Sequence, residues 1–257
     1  TVASVPDVTL ADNGTPIGAG TVNAGTASHV LSSFKLTVET LATTLNSVQI
    51  ATAGSYVSAD LTNLKLWYST DGSFGGDTTL STLSSPGAAG NKTFSSLSKN
   101  LAIGDHYFFI TADIASGATG GNTLNVAALA NTAISVSSGT PTGSASAGGM
   151  QTILSVPVLT LPTAVSIGTN TATLGATVSS LGGVAALSSR GTVYNTTGSP
   201  VTENALAQGG TTVGAFSHAR SPLARGMKYY YRGYAVNSIG TAYSPQGSFY
   251  TEPGQAS

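Results

Sequence analysis

Three histidines, His29, His106 and His218, and three aspartates, Asp60, Asp71 and Asp77, are the side chains of this sequence best suited to hold a metal ion. Zinc needs imidazoles or thiolates closely spaced on one face. The histidines stand singly, with no His-x-x-x-His pair and no cysteine anywhere, and read as ordinary strand or loop residues. Calcium suits the aspartates better, because it takes several oxygen ligands on a flexible segment, and Asp71 and Asp77 flank a glycine-rich one. Their spacing is not that of an EF-hand, and the competing reading has each carboxylate cap its own turn. Aromatic side chains offer a third chemistry. Tyr229, Tyr230, Tyr231 and Tyr234 put rings on both faces of one strand, as do Trp67 and Tyr68. Exposed rings stack on sugars, whereas buried ones fill a core.

Other motifs fail on position. Gly87–Thr93 has the outline of a phosphate loop but carries Asn91 where the motif requires glycine. Gly18-Ala19-Gly20 lacks the third dinucleotide glycine, since Asn23 stands there, and no Gly-x-Ser-x-Gly occurs. Asn13, Asn91 and Asn195 head Asn-x-Thr sequons, which mark surface turns.

Composition agrees with this shortage of chemistry. Nine Lys/Arg and ten Asp/Glu in 257 residues are too sparse and scattered to perturb one another in a cleft, so no enzyme activity and no cofactor are expected. A net charge of −1 gives no electrostatic case for nucleic acid or an anionic membrane. The longest apolar runs, such as Tyr107–Ile110, fall far short of the roughly 20 residues that span a bilayer, so no membrane span is expected. The chain starts at Thr1 without a charged and apolar leader, which leads us to expect a mature exported protein. Absence of cysteine excludes a disulfide framework, and for an exported chain that favours a bacterial source.

The elements that must position these residues are strands. Phe34, Leu36 and Val38 alternate with Lys35, Thr37 and Glu39, and Leu64, Leu66 and Tyr68 alternate with Lys65 and Trp67. A period of two means one buried face and one wet face. Turns are supplied at Asn13-Gly14, Asp71-Gly72, Ser85-Pro86-Gly87 and Ser199-Pro200. The expected class is all-β, two tandem β-sandwich domains of Ig-like or fibronectin type III-like form. Ser137–Gly149 is small and polar, Met150–Leu154 reads as a last strand, and Ser155-Val156-Pro157 opens a new series. The division is therefore residues 1–17 as an N-terminal extension, 18–155 as one domain and 156–257 as another. Four Lys and no Arg against eight Asp/Glu give residues 1–155 a charge of −4; five Lys/Arg against two Glu give residues 156–257 a charge of +3.

The stretch Leu223–Tyr243, with turn residue Gly226 and then Tyr229, Tyr231, Gly233 and Ala235 on one face, resembles the E–F corner and F strand of a fibronectin type III domain. Ala172–Val178 and Arg190–Tyr194 resemble its B and C strands. The resemblance implies that Tyr229 is the corner tyrosine, its ring at the core edge and its hydroxyl bonded to upstream backbone. Arg225 stands where that corner usually has proline, and Tyr194 takes part of the place of the missing C-strand tryptophan. In the first domain, Asp105–Ile114, Ala118–Asn122, Leu64–Tyr68 with its Asp71–Asp77 turn, and Ala147–Gly149 are similar to the β-sandwich module preceding the propeller of bacterial BNR-repeat neuraminidases. That module also occurs in surface proteins without a sialidase. Sialidase chemistry is itself excluded here: such sites clamp a carboxylate with several arginines, and the first arginine is Arg190. Ser69–Phe74 also misplaces the glycine of an Asp-box.

Together these readings predict a non-enzymatic bacterial extracellular or cell-surface structural protein, a subunit of a fibre, sheath or adhesin. The alternative is a carbohydrate-binding accessory region of a secreted glycosidase, with surface glycans as partners. Self-association into a homopolymer is expected through β-strand contacts. In residues 1–17, Val8 and Leu10 alternate with Thr9 as in a strand, which makes this extension a candidate for donation to a neighbouring subunit. The competing readings pair it within its own domain or make it a linker to an upstream domain. The opposite charges of the two halves favour head-to-tail contacts.

Overall fold

A computed structural model describes residues 5–201, 206–207 and 210–254. Among them the regular structure is β-strand with two short 3-10 turns, and no helix is long and apolar enough to cross a membrane. The protein is all-β. It divides into two compact units, the first ending at Ile153 and the second beginning at Leu154, two residues earlier than the sequence boundary.

Unit 1 contains β1 (Asp7–Asp12), β2 (Gly20–Asn23), β3 (His29–Glu39), β4 (Thr43–Ala53), β5 (Leu61–Ser69), β6 (Thr78–Ser84) and β7 (Gly90–Phe94). It continues with β8 (Lys99–Leu101), β9 (Gly104–Ile114), β10 (Thr123–Val126), β11 (Leu129–Ala130), β12 (Ile134–Val136), β13 (Thr142–Ala145) and β14 (Gln151–Leu154). One sheet runs β11-β13-β1-β3-β9-β5-β6; the other runs β12-β4-β10-β14-β2, with β7 and β8 also paired to β4. The period-two pattern explains the core between them. Phe34, Leu36 and Val38 on β3 and Leu64 and Leu66 on β5 are fully buried, and the Phe34 ring stacks on Phe108 with centroids 5.0 Å apart. Glycine is required where Gly148 and Gly149 pass the chain, because an added Cβ would collide with the backbone of Leu31 and of Gly18 and Ala19.

The extension expected at residues 1–17 is corrected by β1. Residues 1–4 lie outside the described residues, but Asp7–Asp12 pairs antiparallel with β3 and parallel with β13 of the same unit. Val8 and Leu10 are 0% and 1% exposed. Their alternation seats both in this chain's own core, so β1 belongs to its own sandwich.

Unit 2 contains β15 (Val158–Leu159), β16 (Thr163–Val165), β17 (Ala172–Ser180), β18 (Ser189–Asn195), β19 (Leu206–Ala207), β20 (Gly214–Arg220), β21 (Lys228–Val236), β22 (Thr241–Tyr243) and β23 (Gly247–Tyr250). In one sheet β17 bonds β15, β16 and β20; in the other β21 bonds β18, β22 and β23, with β19 beyond β18. Leu174, Phe216, Tyr229, Tyr231, Ala235 and Phe249 lie in the buried core.

Candidate functional site

The calcium reading required Asp60, Asp71 and Asp77 to converge, and the structure separates them. Asp60 precedes β5 and Asp71 follows it; at ~3.3 Å per residue this strand puts them on the order of 30 Å apart. Asp71 and Asp77 serve their own loops, and Asp60 ties its own turn to a second loop. Asp60, 1% exposed, accepts hydrogen bonds from the Thr119 amide (2.7 Å), the Asn122 side-chain amide (2.8 Å) and the Val57 amide (2.9 Å). Burial pushes its carboxyl up, but these donors outweigh that and hold it below its ordinary value. Asp71 accepts from the Ser69 hydroxyl and the Ser73 amide, and Asp77 from the Gly75 amide. No group of three or more His, Cys, Asp or Glu is placed to hold a metal among the described residues.

The histidines are equally separate. His29 Nε2 lies 3.2 Å from the Gln151 carbonyl oxygen, and His106 bonds both the Tyr68 hydroxyl (3.0 Å) and the Ala102 carbonyl (2.8 Å). His218 Nδ1 lies 3.2 Å from Thr192 Oγ1. A second buried carboxylate, Asp113, works as Asp60 does. It accepts from the Ser28 amide and the Asn63 side chain, both at 2.8 Å, and pairs with Lys65 at 2.6 Å. Burial again opposes ionisation, and Lys65, Ser28 and Asn63 overcome it, so Asp113 also lies below its ordinary value.

In unit 2, Tyr229 is buried and its hydroxyl accepts the Ala224 amide at 2.8 Å, five residues upstream. Gly226, at φ +63°, makes the turn between them, and Arg225 is accommodated on its exposed side. The Tyr229 ring stacks on Phe249 and meets Tyr194 edge-on at 5.7 Å. Tyr231 is buried on the same face. Tyr230 and Tyr234 point the other way, as alternation requires. On that outer face the register sets Lys228 opposite Tyr250 and Tyr234 opposite Tyr243. The Lys228 ammonium sits 4.9 Å from the Tyr230 ring and 5.8 Å from the Tyr250 ring, and Tyr250 is 64% exposed. The two faces of β21 thus divide the tyrosines: Tyr229 and Tyr231 lie in the core, while on the outer face Tyr230 is half-buried and Tyr234 is buried at 6% exposure.

Sequence reasoning missed Arg220. It is 7% exposed, donates from Nε to Thr192 Oγ1 at 3.1 Å and from Nη2 to the Thr192 carbonyl, and lies over the Tyr194 ring. The signal was present in the strand period: Phe216, His218 and Arg220 alternate, which places the arginine on the face of a core phenylalanine.

No protein-family model matches this sequence, and no curated protein does. Among solved structures it is similar to the FN1–FN3 domains of chicken CNTN1, at a TM-score of 0.27 and 10% identity, over 98% of this chain and 67% of that one. The fold class accordingly rests on the strands and sheets described above.

Proposed function

We propose that the chain is a non-enzymatic structural protein of the bacterial surface or extracellular space, a subunit of a fibre, sheath or adhesin that acts by self-association. The observation that carries this reading is the use of the buried carboxylates. Asp113 binds three donors from sequence-distant segments, and Asp60 binds two distant donors, Thr119 and Asn122, with the local Val57 amide as its third. A carboxylate saturated in this way stays ionised at neutral pH and is held against its own loops, which suits a clamp and not a general acid. The resemblance of the first unit to a neuraminidase-associated sandwich, and of the second to a fibronectin type III domain, supports a display or spacer role without catalysis.

A second reading, a carbohydrate-binding accessory region of a secreted glycosidase, is favoured by the outward rings of Tyr230 and Tyr250. Electron microscopy of the purified chain, with a glycan array and a sialoside and glycoside turnover panel, distinguishes them. Ordered polymers without turnover support the first; monomers that bind saccharides support the second. Turnover lost on mutation of one carboxylate overturns both.

A further inference from the structure

Asp7 and Glu39 are the two carboxylates of unit 1 whose side chains make no hydrogen bond or ion pair among the described residues. Both are exposed, and the β1–β3 register places them directly opposite each other. Directly opposed strand residues have Cβ atoms roughly 4.5–5.5 Å apart, and like charges there repel. Such a pair asks for a cation. Beside it lies an open hollow lined by Val5, Pro6, Asp7, Thr40, Gly139 and Thr140, and Val5 is 62% exposed. The site offers an acidic rim to a hollow of mixed polar and apolar lining.

The complementary surface is on unit 2. Lys228, held between Tyr230 and Tyr250, presents a cation flanked by two rings, and Arg232 follows four residues on along the same face of β21. Neither cation makes an ion pair among the described residues, and Arg232 Nε is buried without a hydrogen-bond partner. Tyrosine and arginine with an exposed ring are the composition of protein interfaces, where the ring supplies area and the cation supplies register.

We infer that the Asp7–Glu39 end of unit 1 receives the Lys228–Tyr250 face of unit 2 from a second copy of the chain. The argument is charge complementarity: unit 1 is acidic and unit 2 basic, and neither the opposed Asp7–Glu39 pair nor Lys228 with Arg232 has an ion-pair partner among the described residues. Because two different patches meet, each copy uses one patch on each neighbour and the contact repeats. This deepens the self-association reading and rests on it.

The test is sedimentation velocity and light scattering over a concentration series at low and high salt. It compares the wild-type chain, the acidic-patch variant Asp7→Lys/Glu39→Lys, the basic-patch variant Lys228→Glu, and their combination. Trp67 fluorescence melts confirm that each variant is folded, and Glu39→Gln provides a mild variant. The wild type should associate and weaken with salt; each reversal should weaken association by about tenfold or more, and the combination should recover most of the loss. Wild-type association unchanged by either reversal, or a combination no better than the single reversals, overturns the inference and leaves the self-association reading standing. A wild type that stays monomeric at every concentration overturns that reading, and this inference with it. Binding of polygalacturonate through Lys228 by a monomer assigns the basic face to an acidic saccharide instead.

Discussion

Replacing Asp60 by asparagine tests whether the buried carboxylates act as clamps. The side chain closes the 3-10 turn Ser58–Asp60 and reaches across to Thr119 and Asn122, about sixty residues away in sequence. Hydrogen bonds to a charged acceptor contribute ~1.5–3 kcal/mol each in mutational series. Asparagine keeps one accepting oxygen, but turns an amine toward the remaining donors and leaves at least one unpaired in a buried site. A loss of about 2–3 kcal/mol at neutral pH follows. For a unit of ~150 residues, ~2–4 °C per kcal/mol makes this a fall of about 4–12 °C in midpoint. Trp67 is the sole tryptophan and lies in unit 1, so its fluorescence follows that unit. Its indole N–H donates to Thr111 Oγ1 at 2.8 Å, an arrangement that unfolding breaks. The pH dependence supplies a second criterion. A carboxyl depressed in the folded state contributes stability that is present above its unfolded value of about 4 and is lost as pH falls through the folded one. The gap between wild type and Asp60→Asn should therefore narrow on acidification. A fall of less than about 2 °C, or a gap as wide at pH 3 as at pH 7, would refute the clamp.

Other expectations follow from the same geometry. Tyr229→Phe should lower the stability of unit 2 by about 1 kcal/mol, at the low end for a lost partner, because Ala224 is exposed and water can reach its amide; an unchanged denaturant midpoint for unit 2 would contradict this. Deleting residues 1–12 removes β1 with Val8 and Leu10 from the core, so the truncated chain should lose the cooperative Trp67 transition; a folded, truncated monomer would restore the donated-strand idea. His218 is lowered by burial and then by Arg220 and Arg190, so its contribution to unit 2 is present above the ordinary histidine value of about 6.5 and is lost as pH falls below it. Calorimetry between pH 7 and 5 should show unit 2 weakening in wild type and not in His218→Asn; parallel profiles would count against it.

The strand period made the core legible wherever one apolar face repeats, as at Phe34, Leu36 and Val38. The Tyr229 corner was legible through the resemblance to a fibronectin type III domain, carried by a turn glycine and alternating aromatics that are local in sequence. What stayed hidden depended on distant partners. Val8 and Leu10 read as a strand, but nothing local says whether β3 and β13 of the same chain or a neighbour's sheet will flank them. Asp60 read as a turn residue with spare ligand capacity because its donors Thr119 and Asn122 are remote. Arg220 is legible only through its period with Phe216 and His218, because its partner Thr192 is remote in sequence. Asp71 and Asp77 do cap their own turns, as the local reading has it, and only the remote donors of Asp60 were illegible.

The pairing of β1 with β13 joins positions such as Thr9 and Thr142, 133 residues apart. At a synthesis rate of ~5–20 residues per second, β13 emerges on the order of ten seconds after β1. During that interval Val8 and Leu10 have β3 on one side and no partner on the other. The half-built sheet thus carries an open edge through most of its own production. A chain that completes its first sandwich so late depends on being kept from its neighbours until it is whole, and the step most exposed to misassembly is the closure of that seam.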